Sequence, residues 1–202
     1  GQDSGAKPGS KPTEPEIKRW RPKNNQNKFS GDILFRNALI KSLNIPTVKI
    51  IERLGVDWAA TYARRLGIFS QLNMDFTLAL GSSGVTLYEM TRAFGVIGRN
   101  GRRLSPIVIR KVVDAQGQEL AKDLSIDDRF KNELSRIEDE FEQKRQAYLT
   151  STDNSKVPPI YFADKDQLVR PQTAYVLTTI LQGVVDEPGG TGGAARELGR
   201  PV

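Results

Sequence analysis

The 202-residue chain contains neither cysteine nor histidine. The first absence removes disulfide frameworks, thiolate nucleophiles and cysteine-bound metals. The second removes imidazole, and with it every Ser-His-Asp or Cys-His mechanism. Acid–base chemistry must then use Lys, Asp, Glu, Tyr or a hydroxyl, and no metal and no cofactor is expected. Missing cysteine also fits an oxidising compartment. No apolar run approaches the roughly 18 residues of a membrane span, and no signal peptide opens the chain, so targeting information is expected elsewhere.

What remains is ordinary globular composition, 38% hydrophobic and 27% charged. Thirty Lys and Arg against 24 Asp and Glu give +6, unevenly spread. Residues 1–28 hold seven basic and three acidic side chains, whereas residues 123–145 hold five basic and eight acidic. The positive excess therefore sits in a Pro/Gly/Lys-rich leader, read as a solvated, extended or disordered linker or cut edge over 1–28. No nucleic-acid partner is expected from it.

From Ser30 the pattern turns helical. Ser30 or Asp32 is expected to cap a helix through Leu34, Ala38 and Leu39, and Pro46 to sit in the first turn of a second helix ending before Gly55. Asn44 and Ile45 then fall at the corner between the two. A third helix is expected to start with Asp57 as its cap, align Trp58, Tyr62 and Leu66, and stop at Gly67. Thr86 and Glu89 stand at capping-box spacing before a fourth helix that finishes at Asn100-Gly101.

The stretch from Pro106 to Val113, followed by Asp114 to Gly117 and then Gln118 to Leu120, reads as a β-hairpin. Residues 127–149 space Phe130, Leu134, Ile137, Phe141 and Tyr148 along a long helix with one narrow apolar stripe. Packing on its own domain is the first reading of that stripe. The sharper one is a docking helix for a partner protein, anchored by Phe130, Leu134, Ile137 and Phe141. After a polar linker at 151–160, Pro171 opens a last helix with Ala174, Leu177, Thr178, Leu181, Val184 and Val185 on its buried side, ended by a Gly-rich loop. Gly81-Ser82-Ser83-Gly84 lacks the lysine and preceding strand of a phosphate-binding loop and is read as a connection.

The order of the pieces carries a resemblance. F-R-N-A-L-I-K-S-L-N-I-P-T-V-K-I, L-G-I at 66–68, L-A-L-G at 78–81, T-L-Y-E-M-T-R-A-F at 86–94, R-N-G at 99–101 and the terminal G-G-T-G-G-A-A-R-E-L-G-R-P-V follow one another. In that order they resemble the transpeptidase domain of class A penicillin-binding proteins, over roughly 17–120 and 168–202. The resemblance implies a mainly α fold with a β-hairpin, an incomplete helical part of the α/β penicillin-binding-protein and β-lactamase-like fold. It divides into the leader at 1–28, a helical subdomain with the hairpin at 29–120, a charged helical insertion and linker at 121–167, and a helix with Gly-rich loop at 168–202.

Family members use S-x-x-K, S-x-N and K-T-G or K-S-G. Ser42-Leu43-Asn44 matches the second. Without histidine, a serine hydroxyl is activated by an unprotonated lysine, and a second hydroxyl can pass the proton to the leaving amine. By resemblance Ser42 is that relay, and Asn44 is the amide that orients the lysine and binds the donor peptide, both in a cleft whose lysines belong to other polypeptide. The bland reading of Ser42 and Asn44 is helix punctuation. Ser4-Gly5-Ala6-Lys7 spells S-x-x-K, but the P-G-S-K-P-T-E-P that follows cannot continue a buried helix, so Ser4 is rejected as nucleophile. Thr191-Gly192 lacks a preceding Lys and is assigned to the substrate-binding Gly-rich loop before the missing K-T-G strand.

The function so implied is that of a serine D,D-transpeptidase of cell-wall synthesis, anchored in a bacterial inner membrane and facing the periplasm or outer wall space. Its parent also carries a glycosyltransferase, and its partners are peptidoglycan stem peptides, β-lactam antibiotics and chain segments supplying S-x-x-K and K-T-G. This chain alone is expected to be inactive. Two rivals keep the residues but not the chemistry: a helical interaction module whose basic tail binds anionic polymer or nucleic acid, and a non-catalytic scaffold derived from a transpeptidase.

Overall fold

In a computed structural model, residues 20–24, 29, 31–151 and 160–199 are described. Most of the 1–28 leader, including Ser4 and Lys7, and nearly all of the 151–160 linker lie outside them. The chain order is α1 Phe35–Ile40, α2 Asn44–Leu54, α3 Val56–Arg65, α4 Leu87–Gly98, β1 Ile107–Val113, β2 Glu119–Ser125, α5 Lys131–Thr150 and α6 Pro171–Asp186. Short 3-10 turns occupy Phe76–Leu80, Ile126–Phe130 and Gly193–Leu198. This is the expected mainly helical architecture with one hairpin.

Local chemistry explains most boundaries. Thr86 and Glu89 form the full capping box of α4, each side chain satisfying the other residue's backbone N–H. Pro171 opens α6, where a missing N–H costs nothing. Two expected caps are not used. Leu34, not Asp32, precedes α1 and makes no side-chain cap bond, so the helix begins later than expected. Gly55 takes the N-cap of α3 and moves Asp57 into the first turn, where its charge still favours the positive end of the helix. In α6 the fully buried positions are Ala174, Ile180 and Gly183, whereas Leu177, Thr178, Leu181, Val184 and Val185 are only half-buried.

The core gathers α4, α6 and the stretch before α6. Val96, Leu168, Val169 and Ala174 pack together, with Tyr62 of α3 and Leu66 just after it against them. The 164–169 stretch runs alongside the end of α4, with Leu168 N–H donating to the Gly101 carbonyl at 2.8 Å and Arg103 N–H to Asp166 at 2.8 Å. Burying each large apolar side chain here contributes about 1.5–3 kcal/mol.

The stripe of α5 faces inward. Leu134, Ile137 and Phe141 are buried, and Phe130 lies 4.8 Å from Phe69 and 5.1 Å from Tyr88, ring centre to ring centre. Arg64 donates to Glu140 at 2.5 Å, and Arg145 to the Ala163 carbonyl at 2.9 Å. The four residues expected to anchor a cell-wall partner at 127–149 are thus used within the chain, which corrects the docking-helix expectation. Hydrophobic spacing identified the seam but not what it packs against.

Candidate active site

The S-x-N corner joins α1 to α2. Ser42 N–H donates to Leu39 at 3.0 Å and Leu43 N–H to Ala38 at 2.9 Å. These are the paired bonds of a Schellman ending, which puts Ser42 at its left-handed position with φ 51°. Ser42 is exposed, and its hydroxyl has no hydrogen-bond partner among the described residues. Beneath it Ala38 and Ile40 are buried, so the corner rests on an apolar floor.

Asn44 is the first residue of α2. Its Nδ2 donates to the Lys23 carbonyl at 2.8 Å, while Asn24 Oδ1 accepts from Ile45 N–H at 3.0 Å. Leu43 cannot cap the helix, so Asn24 supplies the missing acceptor from far upstream. The cap of α2 is thus supplied by Asn24, while the Asn44 amide fixes the 20–24 segment.

The Gly-rich loop approaches the same corner. Arg36 of α1 pairs with Glu187 just past α6, tying the loop to the helix that leads into Ser42. A Cβ placed on Gly189 would lie 3.8 Å from Lys41 Cε, so the loop lies beside the residue preceding Ser42. Gly190 packs so closely on the Val184 carbonyl that no side chain fits there. Gly192 N–H donates to Val184 at 2.9 Å and is spent within the loop, whereas Thr191 is exposed. Among the described residues no hydrogen bond joins Thr191 or Gly192 to Ser42 or Asn44.

A groove of about 580 Å³ lies behind the corner, lined by Phe29, Ile33, Phe35, Leu43, Pro46 and Ile50 among others. Neither Ser42 nor Asn44 lines it. The expected cleft around these two polar groups is therefore not formed by the described residues; Ser42 is exposed and Asn44 half-buried. Leu43 and Ile45, alternating with them along the chain, face the groove instead.

A second polar centre went unread in the sequence beyond its capping role. The Glu89 side chain is fully buried and accepts from Phe69 N–H at 2.8 Å, Ser70 N–H at 2.6 Å and the Ser70 hydroxyl at 2.8 Å. Thr86 adds its N–H at 2.8 Å and its hydroxyl at 2.7 Å. Burial alone would raise this carboxyl, but the converging donors hold its pKa at about 2. Nearby, Tyr88 donates to Asp127, and Arg92 stands 3.3 Å from the other carboxylate oxygen. Burial first, then the charges of Glu138 and Asp128, push Asp127 up to about 6, which the long Arg92 contact does not offset. Arg65, also buried, lies over the Tyr161 ring at 4.7 Å and donates to the Ile160 carbonyl at 2.5 Å. These groups tie elements together.

Among the described residues no cluster of His, Cys, Asp or Glu could hold a metal, and no helix is long and apolar enough to cross a membrane.

The model of the penicillin binding protein transpeptidase domain matches residues 2–202. Penicillin-binding protein 1A of Pseudomonas aeruginosa is 30% identical over 91% of this chain and 24% of its own length. That of Rickettsia conorii is 28% identical over 93% of this chain and 22% of its own. The chain thus spans about a quarter of the curated relatives it matches. The crystal structure of penicillin-binding protein 1A from Haemophilus influenzae superposes with a TM-score of 0.62 at 23% identity, over 89% of this chain and 27% of that one. That likeness shows the shared, partial fold. Sequence order, architecture and family match agree, and the chain belongs to the penicillin binding protein transpeptidase domain family.

Proposed function

We propose that this chain is part of a serine D,D-transpeptidase that cross-links peptidoglycan stem peptides and is acylated by β-lactams. In this reading a serine supplied by an S-x-x-K segment attacks the donor peptide, an amine leaves, and a second stem peptide's amine takes the acyl group. Ser42 relays the proton from the lysine-activated nucleophile to the departing amine. Asn44 orients the lysine and the donor backbone through its side-chain carbonyl oxygen, its Nδ2 being held by the Lys23 carbonyl. Thr191, exposed on the loop beside Lys41, borders the substrate. The longer protein that the relatives' lengths suggest would carry a glycosyltransferase and sit in a bacterial inner membrane, facing the periplasm or outer wall space.

The supporting observation is the Ser42 hydroxyl: without a hydrogen-bond partner among the described residues, exposed, and held in a backbone conformation that glycine adopts more cheaply. Glycine at this position keeps the helix ending and removes the side chain that carries the hydroxyl. In the longer protein, Ser42→Gly should slow acylation by a fluorescent β-lactam about 100-fold or more without lowering the melting temperature. Equal acylation rates would return Ser42 to punctuation. The 202-residue chain alone should give no covalent adduct at Ser42 by intact mass.

A further inference from the structure

α3, α5, the segment after α4 and the 160–169 stretch meet around a small cavity of about 20 Å³, lined by Arg65, Arg103, Glu138, Glu142, Arg145 and Lys165 among others. That volume admits one particle the size of a water molecule or a halide ion. Two cationic groups on its wall are left short of partners. Arg65 is only 7% exposed, yet among the described residues no carboxylate lies within ion-pair distance of it. Its guanidinium lies over the rings of Tyr62 at 5.8 Å and Tyr161 at 4.7 Å and gives one hydrogen bond, to the Ile160 carbonyl. Arg103 Nε is buried and makes no hydrogen bond among the described residues, with Asp166 Oδ1 standing off at 3.5 Å.

Buried charges are as a rule paired, and buried N–H groups as a rule find an acceptor. The carboxylates on this wall are already engaged. Glu142 receives two hydrogen bonds from Arg145, at 2.8 Å and 2.6 Å, and Glu138 accepts from Arg103. Asp164 has Arg102 as its own partner. Counting Asp166, which shares Arg103, three carboxylates stand against four cations, Arg65, Arg103, Arg145 and Lys165. One positive charge is left over. Lys165 is exposed and forms no ion pair among the described residues. Burial pulls the Arg65 guanidinium below its ordinary value; the two phenols offset part of this, and the charge of Arg103 adds to it.

We propose that this cavity binds one small monovalent anion of halide size, chloride in ordinary solution, held by Arg65, the Arg103 Nε–H and Lys165. The ion would pin α5 and the 160–169 stretch onto α3, so that the packing of the charged segment depends on it. A water molecule satisfies the Arg103 N–H but leaves the excess charge uncompensated on a largely desolvated wall. Sulfate, phosphate and a peptide carboxylate exceed the space. The inference goes beyond the transpeptidase reading and does not rest on it.

The test melts the full 202-residue chain in sodium chloride and in sodium gluconate at equal ionic strength, which holds screening constant. Chloride should raise the melting temperature saturably, by about 2 °C or more, and bromide should replace it. Arg65→Gln should abolish the difference. Lys165→Gln, at an exposed position that leaves the fold intact by circular dichroism, should weaken the apparent chloride affinity several-fold. Arg110→Gln, an equal loss of charge on the exposed β1, should leave it unchanged. Anomalous diffraction from a crystal grown in bromide should place the ion beside Arg65. The proposal is overturned by equal melting temperatures in chloride and gluconate, by a chloride effect that Lys165→Gln and Arg65→Gln leave intact, or by a bromide crystal with no anomalous peak in the cavity.

Discussion

The ends of α1 and α3 share a backbone and differ in the residue at its one left-handed position. At α3, Gly67 N–H donates to Arg64 at 2.9 Å and Ile68 N–H to Ala63 at 3.2 Å, repeating the bonds that close α1. Gly67 holds φ 102° there and Ser42 holds φ 51°. The surroundings differ as well. Gly67 is buried against Arg92, and the chain after it is stitched to Glu89, whereas Ser42 is exposed, its hydroxyl bonded to none of the described residues. Asn100 and Asp123 also take positive φ, but their short polar side chains suit that region better than serine does. One ending is built for stability alone. The other carries a cost of about 1 kcal/mol for a hydroxyl that none of the described residues engages.

The comparison can be broken most forcefully at the α3 side. Glu89→Ala would strip the acceptor from the N–H groups of Phe69, Ser70 and Thr86 and is expected to cost about 3 kcal/mol, read by chemical denaturation. The same carboxylate sets an acid limit. Its folded pKa of about 2 lies below the ordinary 4.5, so its stabilisation is complete above about pH 4.5 and is lost as pH falls toward 2. That loss is worth about 3 kcal/mol and should be absent in Glu89→Gln. Asp127 has the opposite sign. Raised from 3.8 to about 6, it favours the protonated folded state, so its contribution improves as pH drops from about 6 toward 4. Asp127→Asn should flatten that part of the stability profile.

Next comes Gly67→Ala. A Cβ there would lie 2.6 Å from an Arg92 guanidinium nitrogen and 3.3 Å from its Cδ, in addition to the backbone strain. A loss of about 2 kcal/mol is expected from thermal unfolding. The smallest effect is the most informative. Ser42→Gly should raise stability by about 1 kcal/mol, the reverse of what a needed structural residue shows. A drop would mean that the serine side chain supports the corner.

What could be read from residues alone was local. The Thr86–Glu89 capping box, Pro171 at the start of α6, Gly67 at the end of α3 and the Gly117 turn each follow from chemistry within a few positions. What escaped depends on parts of the chain that meet only after folding. Glu89 looked complete as a cap, yet its carboxylate also reaches back to Phe69 and Ser70, for which no spacing rule exists. The capping of α2 by Asn24 is equally non-local, 21 residues away. Hydrophobic spacing marked the α5 seam without saying whether a partner or the chain itself would cover it. At the S-x-N corner the residue types were legible, but the left-handed backbone of Ser42 was not, because no glycine announced it.

The stitch between the 20–24 segment and the start of α2 has a mechanical consequence. Asn24 closes the first turn of α2 and the Asn44 amide grips the Lys23 carbonyl, so the two segments share their restraints. Tension applied to polypeptide upstream of Trp20 would be delivered first to Asn44, and the orientation of that carboxamide would register how the leader is held.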